Sequence, residues 1–220
     1  MNASKATPLL MLVRGMPHAP FQVHRARWPS GNMRIECVAA GYFMSVMGIA
    51  RSNRRVATSR LAASAHDLLE ASTLCAIATV DRRGRSYINT AYFAWNRDFQ
   101  IVWLSEPRAQ HSKNLAAHDS AAIAVFDSAQ TWGNPDRGIQ LFGRAHALTA
   151  DDDARELYTA RFPRFADANL GAYRFYRFRA ERLKLFDETN LGGGTFVSAS
   201  LDRARKPIWE KTIVYQSKNS

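Results

Sequence analysis

Cysteine is scarce in this chain, because Cys37 and Cys75 are the only two among 220 residues. They lie far apart without C-x-x-C spacing, which argues against a zinc ribbon, a thioredoxin-type redox pair and a secreted disulfide scaffold. The longest apolar stretch, residues 35–50, contains Glu36 and is short for a membrane span. These absences favour an ordinary globular chain that is held by its own hydrophobic core and has no membrane partner.

The common catalytic signatures are also missing. The sequence contains no G-x-S-x-G nucleophile elbow, no P-loop and no G-x-G-x-x-G after a strand, which excludes the usual α/β-hydrolase and nucleotide-binding motifs. Its six histidines show no H-E-x-x-H or other paired metal spacing. We therefore expect no metal site.

The net charge of +11 is concentrated at one end of the chain. Residues 1–60 contain nine Lys and Arg residues but a single acid, Glu36, and the rest of the chain is close to balanced. A basic nucleic-acid-binding protein remains an alternative function. It predicts strongly salt-dependent binding of nucleic acid that persists after residues 1–60 are removed. We expect no nucleic-acid partner for the folded part.

The first sixty residues have no lasting helical or alternating period, and four prolines interrupt their short apolar runs. A mitochondrial presequence, a secretory signal and a disordered extension are the three interpretations. We favour the disordered extension, with Met47 as an alternative start. The expected organisation is an extension over 1–60, a folded domain over 61–200 and a tail over 201–220, in a cytoplasmic protein.

From Leu61 onward the pattern indicates a mainly β protein with few, short helices. A helix is predicted over 61–71, with Leu61, Ala65, Leu68 and Leu69 on one face. Six antiparallel strands that close into a barrel account for the rest better than a doubly wound sheet. The predicted strands are 74–80, 87–95, 99–104, 121–126, 139–148 and 173–186, with a further one at 195–199 and helices at 109–118 and from 149 to about 161.

Polar and basic residues cluster where the third predicted strand ends. The strand ends at Leu104, and a short helix begins near Ala109, so residues 105–115 surround a helix N-terminus. Free N–H groups, the positive end of the helix dipole and nearby cations make this an anion site in principle. A capped helix with solvated basic side chains explains the same pattern.

Several runs in this order resemble the flavin-binding split barrel of the pyridoxamine-5′-phosphate-oxidase-like family, in particular a small uncharacterised bacterial branch. The resemblance covers roughly residues 61–200. It is carried by 74–85, Ala91-Tyr92-Phe93, 101–105, His111-Ser112-Lys113-Asn114-Leu115, 122–125, Gln140-Leu141-Phe142-Gly143-Arg144-Ala145, Arg161-Phe162-Pro163 and 183–192.

The resemblance implies a six-stranded antiparallel FMN-binding split barrel with peripheral helices. It also implies a homodimer that holds FMN at the subunit interface and acts as an oxidoreductase on an unknown small-molecule substrate. Deazaflavin and haem are alternative cofactors, because related split barrels use both, and a non-catalytic flavin or haem binding module is the alternative function. By position, the cofactor-binding residues would be Asn89, Thr90, Ala91, Tyr92, Leu104, Ser105, Gln110, His111, Lys113 and Gln140.

Departures from the vitamin-B6 oxidases argue against pyridoxamine-phosphate oxidation. Where those enzymes place an arginine and a lysine on the second strand, this chain has Asn89 and Ala94. Gln110 and His111 replace their arginine–lysine clamp. Our most specific expectation is that Ser105, His111 and Lys113, with Arg108 as a weaker candidate, surround the flavin phosphate.

Overall fold

The computed structural model describes residues 22–24, 36–38, 46–149, 152–165 and 169–218. The chain divides into two units, residues 1–46 with 217–220, and residues 47–216. In the first unit, the three-residue strands β1 (Gln22–His24) and β2 (Glu36–Val38) pair antiparallel. Most of the extension expected over 1–60 lies outside the described residues.

The second unit follows the predicted order of elements and extends it at both ends. Strand β3 precedes the first predicted helix, which begins at Thr58 rather than Leu61, and the expected tail contains a long strand, β11, paired with β10. The elements are β3 (Val46–Ser52), α1 (Thr58–Ala71), β4 (Leu74–Val80), β5 (Ser86–Trp95), β6 (Gln100–Ser105), α2 (Gln110–Ala117), β7 (Ser120–Phe126), β8 (Arg137–Ala147), α3 (Asp152–Arg161), a 3₁₀ turn (Pro163–Phe165), β9 (Arg174–Asp187), α4 (Glu188–Leu191), β10 (Thr195–Leu201) and β11 (Pro207–Lys218).

Six antiparallel strands close into a barrel in the order β9-β6-β5-β4-β7-β8, with β8 pairing back to β9. Closure depends on the length of β9. Its first half pairs with β6, its second half pairs with β10, and β8 runs along its other side. Strands β10, β11 and β3 continue the sheet beyond the barrel. The structure confirms the expected mainly β, six-stranded barrel with peripheral helices.

A bulge between β8 and β9 requires a glycine. The register shifts between Phe142 and Gly143, opposite Ala180. A Cβ at Gly143 would lie 2.1 Å from the carbonyl oxygen of Arg179. The backbones approach too closely at this point for any side chain, so the glycine allows the two strands to bend together.

The barrel interior and helix α1 form the main core. Inward side chains of the barrel strands, including Ile77, Phe93 and Trp103, are fully buried. The predicted face of α1 is confirmed, since Leu61, Ala65, Leu68 and Leu69 all pack into this core. Burying each leucine contributes roughly 1.5–3 kcal/mol.

Helix α3 covers a second patch, on the outside of the barrel. Tyr158 packs there against the outward side of β5, β6 and β9, where Ala94, Val102 and Phe175 are buried. Arg161, at the end of α3, donates from Nη2 to the carbonyls of Leu69, Glu70 and Ser72 at the end of α1. This arginine therefore ties the two helices together by satisfying carbonyls that α1 leaves free.

Asp187 joins α1, β8 and α4 at the end of β9. Its buried carboxylate accepts hydrogen bonds from Arg137 Nε at 2.9 Å, Arg137 Nη2 at 3.2 Å, Ser64 Oγ at 2.5 Å and Asn190 Nδ2 at 2.8 Å. Burial alone would raise the pKa of Asp187, but these donors outweigh it and hold the pKa below its ordinary value. The Asp187 carboxylate therefore stays ionised, and its ion pair with Arg137 holds the junction together.

Candidate functional site

The outward side chains of β4, β5, β7 and β8 form a face that neither α1 nor α3 covers. We call it the open face. Two rows cross it in register, Thr90–Ala76–Ala124–Gln140 and Ile88–Ala78–Ala122–Phe142. Four alanines make its centre flat, and larger exposed apolar side chains surround them: Leu74, Val80, Ile88, Tyr92, Phe126 and Phe142. A contiguous apolar patch of this kind is typical of a binding surface.

The four candidate residues on β5 divide between two sides of the strand. Thr90 and Tyr92 point outward and are exposed on the open face. Asn89 lies opposite the buried Ile77 and, with Ala91, is half-buried on the inner side. Because side chains alternate along a strand, a ligand that lies on the open face beside Thr90 and Tyr92 can contact Asn89 and Ala91 only through their backbone atoms.

Gln140 lies on the open face but not beside β5. In its row, Ala124 and Ala76 stand between Gln140 and Thr90, which places the two residues three strand spacings apart, about 14 Å. Within one chain the structure therefore does not bring Gln140 to the other candidate residues on β5.

Buried polar groups gather where β6 ends and α2 begins. Ser105, His111 and Ser112 are all at most 7% exposed, and Ser112 Oγ donates to Ser105 Oγ at 3.5 Å. The His111 ring packs edge-on against Tyr176, with ring centroids 6.4 Å apart. Its Nε2 has no hydrogen-bond partner in the described part of the chain. Burial lowers the pKa of His111 and keeps the ring neutral.

The other candidates at this turn, two basic residues and a glutamine, lie on the solvent side. Arg108, Gln110 and Lys113 are exposed. Lys113 is two positions from His111, which separates their directions by about 200° around an α-helix. The structure thus brings His111 close to the two serines but turns Lys113 away from them. Leu104, at the end of β6, is half-buried.

Helix α2 is anchored by two polar residues that sequence reasoning did not single out. Asn114 Nδ2 donates to Thr79 Oγ1 on β4 at 3.0 Å, and Gln110 Nε2 donates to Asn114 Oδ1 at 2.8 Å. Asn114 and Thr79 are both buried. The sequence alone could not have identified this anchor, because the burial of Asn114 depends on how α2 packs against β4.

The N-terminus of α2 is open to an anion. Ala109 occupies the cap position without a side-chain hydrogen bond, and the first turn contains no acidic residue. The first backbone N–H with an intrahelical acceptor is that of Lys113, which donates to Ala109. The three preceding N–H groups, of Gln110, His111 and Ser112, are therefore available to a ligand, and Arg108 and Lys113 add positive charge.

These donors fit the phosphate of FMN, and the flat apolar open face fits an isoalloxazine ring. In the described ranges, no group of three or more His, Cys, Asp and Glu residues is arranged to hold a metal ion. The same ranges contain no helix long and apolar enough to cross a membrane.

Solved structures share this fold at low sequence identity. A protein of unknown function from Agrobacterium tumefaciens aligns with a TM-score of 0.52 and 20% identity over 67% of this chain and 60% of its own. A heme binding protein from Mycobacterium smegmatis aligns with a TM-score of 0.51 and 19% identity over 67% of this chain and 59% of its own. This chain therefore spans about three fifths of each of those two proteins.

A shorter relative from Clostridium acetobutylicum, related to general stress protein 26 and described as belonging to the pyridoxinephosphate oxidase family, gives a TM-score of 0.50. It shares 14% identity over 67% of this chain and 98% of its own. A search of curated proteins found no match.

The sequence itself matches a family model. The model for pyridoxamine 5′-phosphate oxidase aligns with residues 61–187, which is more than half of the 220 residues. The matched segment begins in α1 and ends with β9, so it contains all six barrel strands and α2. This chain belongs to the pyridoxamine 5′-phosphate oxidase family.

Proposed function

We propose that this protein is a cytoplasmic, FMN-binding homodimer of the oxidoreductase type, with an unknown small-molecule substrate. The observation that carries the proposal is the N-terminus of α2, which has no side-chain cap and no acidic residue in its first turn and is flanked by Arg108 and Lys113. A phosphate dianion requires such N–H donors and cations. Bound FMN would supply the redox chemistry, and the protein would supply binding and orientation.

The placement of Gln140 supports a cofactor between two subunits. A two-fold axis through the centre of its row, between Ala76 and Ala124, would bring Gln140 of the partner subunit over Thr90. The flat, alanine-rich centre of the open face suits the close approach of a second copy. Such an interface is isologous, so the same residues meet twice and two equivalent cofactor sites form.

Haem and deazaflavin are the alternative cofactors, and a non-catalytic binding module is the alternative function. We favour FMN because the uncapped N-terminus of α2 offers N–H donors to its phosphate. Haem would instead require an axial ligand to its iron. Deazaflavin competes for the same flat surface, and titration with both compounds separates it from FMN.

Comparison of FMN with riboflavin tests the phosphate site, because riboflavin lacks the phosphate. A charge-assisted hydrogen bond contributes roughly 1.5–3 kcal/mol, so Lys113→Ala and His111→Ala should each weaken FMN by about tenfold to over a hundredfold. Riboflavin affinity should change much less, and added salt should narrow the difference at the exposed Lys113. Arg108→Ala should have the same kind of effect but a smaller one.

Lys211→Ala is the matched control, because Lys211 is an exposed lysine on β11. Its FMN affinity should equal that of the wild type in a fluorescence titration. Equal losses of FMN and riboflavin in the Lys113 and His111 variants would show that these residues shape the fold or the ring pocket. No loss for either ligand would remove both residues from the site.

A further inference from the structure

A cavity of about 500 Å³ lies between α1 and two hairpin turns, which join β5 to β6 and β10 to β11. Among the described residues that line it, none belongs to the open face or to α2. The β10–β11 turn follows the segment that matches the family model, residues 61–187. One wall of the cavity therefore lies outside that match, and its volume is in the range of small-molecule sites.

The two turns share one hydrogen-bonding pattern with the β4–β5 turn. In each of the three, the fourth residue donates its N–H to the carbonyl of the first residue, at 2.9 to 3.1 Å. That fourth residue adopts a positive φ, which is 78° at Gly84, 57° at Phe99 and 62° at Arg205. Glycine adopts this conformation freely, but a residue with a side chain does so at a cost. The side chains of Phe99 and Arg205 must therefore make contacts that outweigh this cost.

These two side chains build the cavity. The Phe99 ring is 1% exposed and lies 4.9 Å from the His66 ring, centroid to centroid. Arg205 Nε donates to the carbonyl of Asp98 at 3.1 Å, and Arg205 Nη2 donates to the carbonyl of Ala180. The arginine thus ties the β10–β11 turn to the β5–β6 turn. Because the walls are fixed in advance, a ligand would not have to order them.

The lining combines an apolar part with uncompensated positive charge. Ala62, Phe99 and Pro207 are among its apolar residues, and it contains three cations, Arg97, Arg205 and Lys206, against one acid, Asp98. The ion pairs found between described residues include none of these four charged side chains. A cleft with an excess of one charge concentrates ligands of the opposite charge.

We propose that this cavity binds a small aromatic carboxylate. Its ring would lie against the apolar part of the lining, beside Phe99 and Ala62. Its carboxylate would meet the exposed Arg97 and Lys206, since an arginine fork matches the two oxygens of a carboxylate. The site is distinct from the proposed flavin site, so the proposal stands or falls independently of FMN binding.

Calorimetric titration of the full-length protein with 2-naphthoate tests the site, and 2-naphthamide has the same rings without the charge. We expect one saturable site per subunit, with 2-naphthoate bound about fivefold or more tightly than the amide. Excess FMN should leave the affinity for 2-naphthoate unchanged. Equal affinity for the acid and the amide would overturn the role of the cations. Lack of saturable binding at millimolar concentrations, or displacement by FMN, would overturn the site.

A pair of alanine variants on α1 locates the ligand. Ala62→Leu adds bulk to the lining of the cavity and should weaken 2-naphthoate at least about tenfold. Ala63→Leu is the matched control, because Ala63 is the next residue on α1 but is exposed and outside the lining. It should bind as the wild type does, and circular dichroism checks that both variants fold. Equal affinity of the two variants would overturn the location.

Charge variants test the same site without adding bulk. Arg97→Ala and Lys206→Ala should each weaken 2-naphthoate by about two- to fivefold, as expected for exposed ion pairs, and should leave the amide unaffected. Arg203→Ala is the control, because Arg203 belongs to the same turn as Lys206 but not to the lining. An equal loss in Arg203→Ala would indicate general charge attraction and overturn the specific site. Wild-type affinity in both Arg97→Ala and Lys206→Ala would also overturn it.

Discussion

The buried His111 should make the stability of the protein depend on pH. Burial lowers the pKa of His111. Burial also lowers the pKa of His66, although a hydrogen bond between the His66 ring and the Arg97 backbone opposes part of this shift. The unfolded chain therefore binds more protons than the folded chain below the ordinary histidine value of about 6.5. Stability should fall as the pH drops from about 7 to 5, and it should recover above that range.

Urea unfolding between about pH 5 and 8 measures this dependence. His111→Gln should flatten the pH profile because the group that protonates on unfolding is gone. His118→Gln, which replaces an exposed histidine at the end of α2, should keep the wild-type profile. An unchanged slope in His111→Gln would contradict the assignment of His111 as a neutral, buried ring.

Cys75 should be chemically inert in the folded protein. Burial raises the pKa of its thiol to about 12, and the thiolate is the reactive form. In a Cys37→Ser variant, a thiol reagent at about pH 8 should label the protein only as fast as it unfolds. Full labelling in guanidinium is the control. Rapid labelling of the native protein would place Cys75 at an accessible position.

At the start of α2, the types of residue were easier to predict than the directions in which their side chains point. The pattern Ser105, His111 and Lys113 is visible in the sequence, and so is the helix N-terminus that gathers it. The sequence does not show that His111 is buried against Tyr176 while Lys113 faces solvent. That outcome depends on which side of α2 packs against the barrel, and the Asn114–Thr79 hydrogen bond is part of that packing.

Among the elements, the β8–β9 bulge offers a direct test of the fold. Gly143→Ala would place a methyl group 2.1 Å from the Arg179 carbonyl oxygen, and overpacking of this kind costs about 1–3 kcal/mol. Gly193→Ala is the matched control, because nothing lies within 4 Å of its added Cβ. Chemical denaturation should show a clear decrease in the free energy of unfolding for Gly143→Ala and almost no decrease for Gly193→Ala. Equal stability of the two variants would contradict the close approach.

The Asp187 junction should also carry much of the stability. Asp187→Asn leaves Arg137 without its charged partner, and breaking such a pair costs about 3 kcal/mol, near the lower end of the range for buried pairs because Arg137 is partly exposed. Glu210→Gln, which removes an ion pair with the exposed Arg182, should cost under about 1 kcal/mol. Similar unfolding midpoints for both variants would contradict this role for Asp187.

Strands within the matched family segment were predictable because their apolar runs and turns are local signals. Strands β3 and β11 were not predicted, because both were assigned to terminal segments. Residues 207–218 carry four charged or amide side chains and adopt strand structure by pairing with β10. Tertiary pairing, rather than local pattern, decides such a strand.

For the whole molecule, the sequence predicts the closed barrel but not its uncovered surface. The order of six strands is enough to indicate closure. Which outward side chains remain exposed depends on where α3 packs, and it packs over β5, β6 and β9. The separation of Gln140 from Thr90 likewise depends on the spatial order of β5, β4, β7 and β8, which differs from their order in the sequence.

The absorption spectrum of the purified protein, before and after titration with FMN, tests the central claim most directly. We predict a flavin spectrum or, if the protein is isolated without cofactor, saturable uptake of one FMN per subunit. A Soret band would instead identify a haem protein. A colourless protein that takes up no added FMN would contradict the account.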